Sequence, residues 1–144
     1  SVGAANPSGW SNEIIFEQYI DHFINRVRPS KESPVLITMD NAESHISISV
    51  FERAKENGIA FLTFHPHTSQ QIQPLDRTVF GPFKKYYSKA VSEWMSDSVN
   101  VGKPLTIYQV AELVGKSYPK AFTPGNIING FRCTGIYPFN GEIF

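Results

Sequence analysis

Pro34-Val-Leu-Ile-Thr-Met-Asp40 and Ile59-Ala-Phe-Leu-Thr-Phe64 are the two apolar runs whose spacing decides the fold of this chain. Each is short, β-branched or aromatic in character and bounded by polar or turn-forming residues, which reads as a strand. Nearly every position is apolar, as in a strand covered on both faces. Between them lies a helix-length stretch, capped by Asn41 or Ser44 and running to about Asn57, with Ile46, Val50 and Ala54 on one side. Gly58 suits the left-handed residue that ends such a helix. Strand, helix, strand at this spacing is a parallel crossover unit, so the fold class is α/β.

Before the first strand, Ser11 is read as the N-cap of a helix to about Val27. Its Ile15, Phe16, Tyr19, Ile20, Phe23, Ile24 and Val27 recur at helical spacing and give it one apolar face. Residues 1–10 are rich in small residues and turn formers and read as a lead-in loop. After the second strand comes a His-Pro-His-Thr loop, then Gln73-Pro74-Leu75-Asp76. These open a helix from about Leu75 to Met95, striped by Val79, Phe80, Phe83, Tyr87, Val91 and Trp94 and expected to kink at Pro82. Thr106 with Gln109 forms a capping-box pattern for a short helix, and Thr123-Pro124 opens another.

Composition bounds what this architecture does. At 41% hydrophobic and 18% charged, 144 residues suffice for one globular domain. The 13 Lys+Arg and 13 Asp+Glu cancel, which argues against a free-standing electrostatic binder of nucleic acid. The single cysteine, Cys133, excludes an internal disulfide framework, and no apolar run approaches a membrane span.

Two carboxylates stand at element junctions. Asp40 ends the first strand, where open α/β sheets place ligands and catalytic groups. Asp76 lies in the first turn of a helix, whose dipole favours its ionised form. If the fold brings them to one hard cation, they are suitable oxygen ligands for Mg²⁺, able to assist phosphodiester cleavage. Each also has a plainer use: a strand-ending Asp caps helices, and a first-turn Asp serves the dipole. Lys84, Lys85 and Lys89, with Tyr86 and Tyr87 between them, are either a grip on DNA phosphates or a solvated helix face. His45, His65, His67 and Cys133 lack the paired spacing of a structural zinc site.

Met39-Asp-Asn-Ala-Glu-Ser-His45, Pro66-His-Thr-Ser69, Gln73-Pro-Leu-Asp76 and Phe80-Gly-Pro-Phe-Lys-Lys-Tyr86 together resemble the DDE superfamily endonuclease domain of pogo, Tigger and jerky-type transposases in the mariner-like group. Ser8-Gly-Trp10 and Phe131-Arg-Cys-Thr-Gly-Ile-Tyr-Pro-Phe-Asn140 resemble its flanking blocks. The resemblance implies an RNase H-like fold that binds nucleic acid and cuts and joins DNA through three carboxylates and two divalent ions, Mg²⁺ or Mn²⁺. It assigns the second carboxylate to Asp40 and the third to Asp76. Separately, Asn41 is a candidate supporting residue, His67 reads as a loop residue that orients the turn before Asp76, and His45 is either a surface or supporting helix residue or a partner for Asp40. The resemblance further implies DNA as partner, assembly on DNA as an oligomer, no membrane association and a nuclear location.

No residue matches the family's first carboxylate: Glu13, Glu17 and Asp21 lie on the first helix, and Glu32 lies in a polar connection. The expectation is therefore the second half of an RNase H-like fold, truncated on its amino-terminal side, with a short parallel strand pair, covering helices and a helical tail. Whether it is an enzyme turns on that missing carboxylate. The alternative is a catalytically inactive, domesticated remnant that serves as a DNA-binding or protein-interaction module.

Overall fold

The structure is a computed structural model describing residues 7–9, 11–40, 47–65 and 68–143. Two compact units divide the chain, Ser1–Pro66 and His67–Phe144.

The first unit is built on β1 (Val35–Met39) and β2 (Ile59–Thr63), paired in parallel with Val35 beside Ile59 and Met39 beside Thr63. Helix α1 (Glu13–Val27) precedes the pair, and α2 (Ile48–Glu56) crosses from one strand to the other. The α1 cap is Asn12 rather than Ser11: its side chain accepts from the Ile15 amide at 2.9 Å. Helix α2 begins after Ser47, and the caps expected for it at Asn41 and Ser44 lie outside the described residues. Gly58 has φ +73°, as its helix-ending role requires, and a Cβ there would also collide with the Ser30 carbonyl oxygen. Both the dihedral and the close approach demand glycine.

Phe16, Ile20, Met39 and Val50 form the core of this unit, with Ile24, Ile37 and Phe61 packed against it. Paired residues of a parallel ladder point the same way, so the odd-numbered positions of both strands face α1 and α2. The opposite face was expected to be covered as well. Instead Leu36 and Leu62 on that face remain 55% and 49% exposed. The near-continuous apolar pattern reflects a sheet whose second face is uncovered among the described residues.

The second unit is helical: α3 (Ser69–Ile72), α4 (Pro74–Thr78), α5 (Phe80–Ser96), α6 (Ile107–Ala121) and α7 (Pro124–Cys133). The expected long helix with a kink at Pro82 is two helices that meet at Val79. A proline ring collides with the carbonyl four residues back, here that of Thr78, so the chain breaks there. Pro82 then sits in the first turn of α5, where its missing N–H leaves no bond unmade. The Val79 amide closes α4 on the Leu75 carbonyl (3.0 Å), and the Val79 carbonyl opens α5 by accepting from the Phe83 amide (2.9 Å).

Helix α6 is longer than its apolar pattern suggests and runs through Pro119; at its start the Thr106 amide donates to Gln109 Oε1 at 3.0 Å. It packs on α5 through Phe83 and Phe122, set edge to face at 6.1 Å between ring centres. The whole chain is α/β, with a parallel strand pair, covering helices and a helical tail, compatible with a partial RNase H-like fold.

Candidate metal and nucleic-acid site

Asp40 is positioned by backbone pairing. It follows the last residue of β1, whose carbonyl accepts from the Phe64 amide at 2.9 Å, so the ladder is closed right up to the carboxylate. The side chain is half-buried, and its Oδ1 is withdrawn from solvent. Asn41, His45 and His67 lie outside the described residues. His65 is exposed just beyond β2.

Asp76 is positioned differently. It is the third residue of a five-residue helix, far too short to be stable on its own propensity. What holds α4 is α7. The Thr78 hydroxyl donates to the Asn126 carbonyl at 2.6 Å, and Pro74 is buried. Gly130 lies so close that a Cβ there would stand 2.8 Å from both the Pro74 carbonyl oxygen and Thr78 Oγ1. One side of α4 is thereby fixed while Asp76 is left exposed at the helix start. Asp76 and the exposed Lys84, Lys85 and Lys89 are carried by consecutive helices joined at Val79.

Motif reading found Asp76 but not its support. Thr78, Asn126 and Gly130 act across a sequence separation that no local pattern exposes. The available signal was Gly130 itself, since glycine inside a helix costs up to about 1 kcal/mol against alanine and marks close packing.

The acidic residues of α1 have structural uses. Glu17 accepts from the Ser49 hydroxyl at 2.5 Å, and Asp21 pairs with Arg53 at 2.6 Å, so both tie α1 to α2. Cys133 is half-buried with Sγ 3.4 Å from the Gly130 carbonyl oxygen, consistent with packing rather than reactivity. Among the described residues, no three His, Cys, Asp or Glu side chains are grouped to hold a metal.

Asp40 thus follows the end of a strand, and Asp76 lies in the first turn of α4. The sequence matches the family model for the DDE superfamily endonuclease over residues 4–131, and the chain belongs to that family. It is also 31% identical over 142 residues to a protein of Cochliobolus lunatus called MFS-type transporter clz9. That match takes in 97% of this chain but 15% of the other protein, so the chain spans a small part of the length of this curated relative. The relative's name speaks of transport; among the described residues here, no helix is long and apolar enough to cross a membrane. No solved structure matches.

Proposed function

We propose that this chain is the carboxyl-proximal part of a transposase-derived DDE nuclease of the pogo, Tigger and jerky type, acting on DNA in the nucleus. Asp40 and Asp76 are the second and third carboxylates of its triad, and the first is supplied from outside these residues. The observation that carries the reading is the placement of the two carboxylates. One follows a strand held by its backbone ladder and the other lies at the start of a helix held by packing on α7, both within the residues matched by the family model.

The donors suit the ion. Two carboxylates offer hard oxygen ligands of the kind Mg²⁺ and Mn²⁺ prefer, and the Asp76 carboxylate is accessible to solvent. When bound, a pair of such ions activates the attacking oxygen and stabilises the leaving one in phosphodiester cleavage and joining. The chain's own contribution is to hold Asp40 at the sheet end and Asp76 at the start of α4.

The test is nicking of supercoiled plasmid with Mg²⁺ or Mn²⁺ by a protein that includes the strand bearing the first carboxylate. Asp40→Asn and Asp76→Asn are each expected to abolish nicking, because members of a unit that acts together are not separable. Nicking that survives both changes would overturn the assignment.

A further inference from the structure

The neutral net charge conceals a division. Residues 67–144 hold eight Lys and Arg against five Asp and Glu, a net of +3, while residues 1–66 hold five against eight, a net of −3. Overall neutrality therefore does not count against electrostatic DNA binding by the second unit.

Its basic residues are also organised. On α5 the core side is marked by the buried Ala90 and half-buried Phe83 and Tyr87. Lys120 of α6 lies 6.0 Å from the centre of the Tyr86 ring of α5. That contact and the Phe83–Phe122 pair fix how the two helices sit side by side. Around it, α5 offers Lys89, three residues from Tyr86 and so on its flank, and Lys85 one turn before Lys89. Helix α6 offers Lys116 and Lys120, again one turn apart.

Lys84 does not join them. Successive helical residues are turned by about 100°, so Lys84, two residues before Tyr86, stands on the far side of α5 from that ring. Lys120 of α6 reaches Tyr86 instead, with Lys116 one turn before it on the same helix.

All four lysines are exposed. Lys89 pairs with Glu93 at 3.8 Å and Lys116 with Glu112 at 2.6 Å, whereas Lys85 and Lys120 make no ion pair among the described residues. Exposed pairs four residues apart on a helix are worth about 0.3–0.5 kcal/mol, so phosphates can displace either glutamate. Point-charge ammonium groups on flexible stems suit backbone phosphates rather than base edges. The face also continues the segment that carries Asp76, since α4 and α5 meet at Val79.

We infer that Lys89 of α5 and Lys120 of α6, which flank Tyr86, together with Lys85 and Lys116 one turn from each, form a sequence-independent contact surface for the phosphate backbone of duplex DNA. This rests on the reading of the chain as a DNA-acting domain but assigns a surface that the carboxylates do not define.

Fluorescence anisotropy of a short labelled duplex, titrated with the purified protein over a salt series, tests it. Each phosphate contact contributes about 0.9 to the slope of log affinity against log salt. The double variants Lys85→Gln/Lys89→Gln and Lys116→Gln/Lys120→Gln are each expected to reduce that slope by about 1.8, equally on unrelated sequences. Lys116→Arg/Lys120→Arg should restore it, which separates loss of charge from loss of fold. Lys84→Gln should leave it unchanged. Asp76→Asn should keep the wild-type slope and, in the protein that includes the strand bearing the first carboxylate, abolish nicking, so failure of the surface and failure of the nuclease reading are read separately. The proposal is overturned if both glutamine doubles keep the wild-type slope, if Lys84→Gln costs as much as they do, or if the protein binds anionic vesicles but not duplex.

Discussion

The two carboxylates are held by opposite strategies. Asp40 belongs to a unit organised by a backbone ladder, in which neighbours in the pair are fixed by register and the core is assembled from α1, α2 and one sheet face. Asp76 belongs to a unit without a strand among the described residues, on a helix of five residues kept in place by a partner some fifty positions later. The first arrangement tolerates side-chain variation at the sheet edge because main-chain bonds define it. The second depends on the volume of single side chains, above all on the absence of one at Gly130.

That contrast is broken most directly at Gly130. Gly130→Ala puts a methyl group 2.8 Å from the Pro74 carbonyl oxygen and Thr78 Oγ1, and helix α7 or α4 has to move. Overpacking of this kind costs about 1–3 kcal/mol, enough to outweigh the alanine's helix propensity. The matched control is Gly115→Ala in α6, where nothing lies within 4 Å of the new methyl group. There the propensity gain of about 0.5–1 kcal/mol stands alone and the protein is stabilised. Thermal and denaturant midpoints of the two variants are therefore expected to move in opposite directions. Equal stabilisation by both would show that α4 is not held through Gly130.

The same contrast explains what the sequence disclosed. β1, α2 and β2 were legible because period, length and Gly58 all act locally, and Asp40 came with them. The Gln-Pro-Leu-Asp block was legible as a motif, but the break at Val79 was not. Pro82 announces a disruption without saying that its ring acts four residues upstream, on Thr78. Nor was the grouping of lysines legible. Lys84 and Lys85 are adjacent in sequence but turned by about 100° around α5, while Lys120 reaches Tyr86 only through the packing of α6. The near-uniform apolar character of β1 misled in the other direction, since it implied two covered faces where the structure covers one.

This uncovered face sharpens the distinction within the first unit. Leu36 and Leu62 are already about half exposed, so replacing them removes far less burial than a core substitution. The double variant Leu36→Thr/Leu62→Thr keeps strand-favouring side chains and should stay within about 0.5 kcal/mol of wild type. Light scattering on heating or concentration should fall, because an apolar sheet face beside open strand edges promotes association. A loss of stability comparable to a core substitution would mean that both faces of the strand pair are buried after all.

The smallest effect concerns the loop that leads into β1. The amides and carbonyls of Ser30 and Ser33 bond reciprocally at 3.2 Å, and the Ser33 amide lies 3.1 Å from the Ser30 hydroxyl. The hydrogen bond from the Ser30 side chain, and secondarily one from the backbone of Glu32, hold the Glu32 carboxyl below its ordinary value of 4.5. A carboxyl whose pKa is depressed by folding stabilises the native state above the unfolded value and loses that contribution as pH falls through the folded one. Glu32→Gln removes the ionisation. Wild type should therefore be marginally ahead of Glu32→Gln at neutral pH, with the gap closing as pH is lowered from 4.5 through the folded pKa. The carboxylate is fully exposed, so solvent keeps the difference small. Stability curves for the two proteins measured across the acid range provide the check. A gap that widens towards low pH would require the carboxyl to be raised on folding, and the Ser30 hydroxyl could not then be its partner.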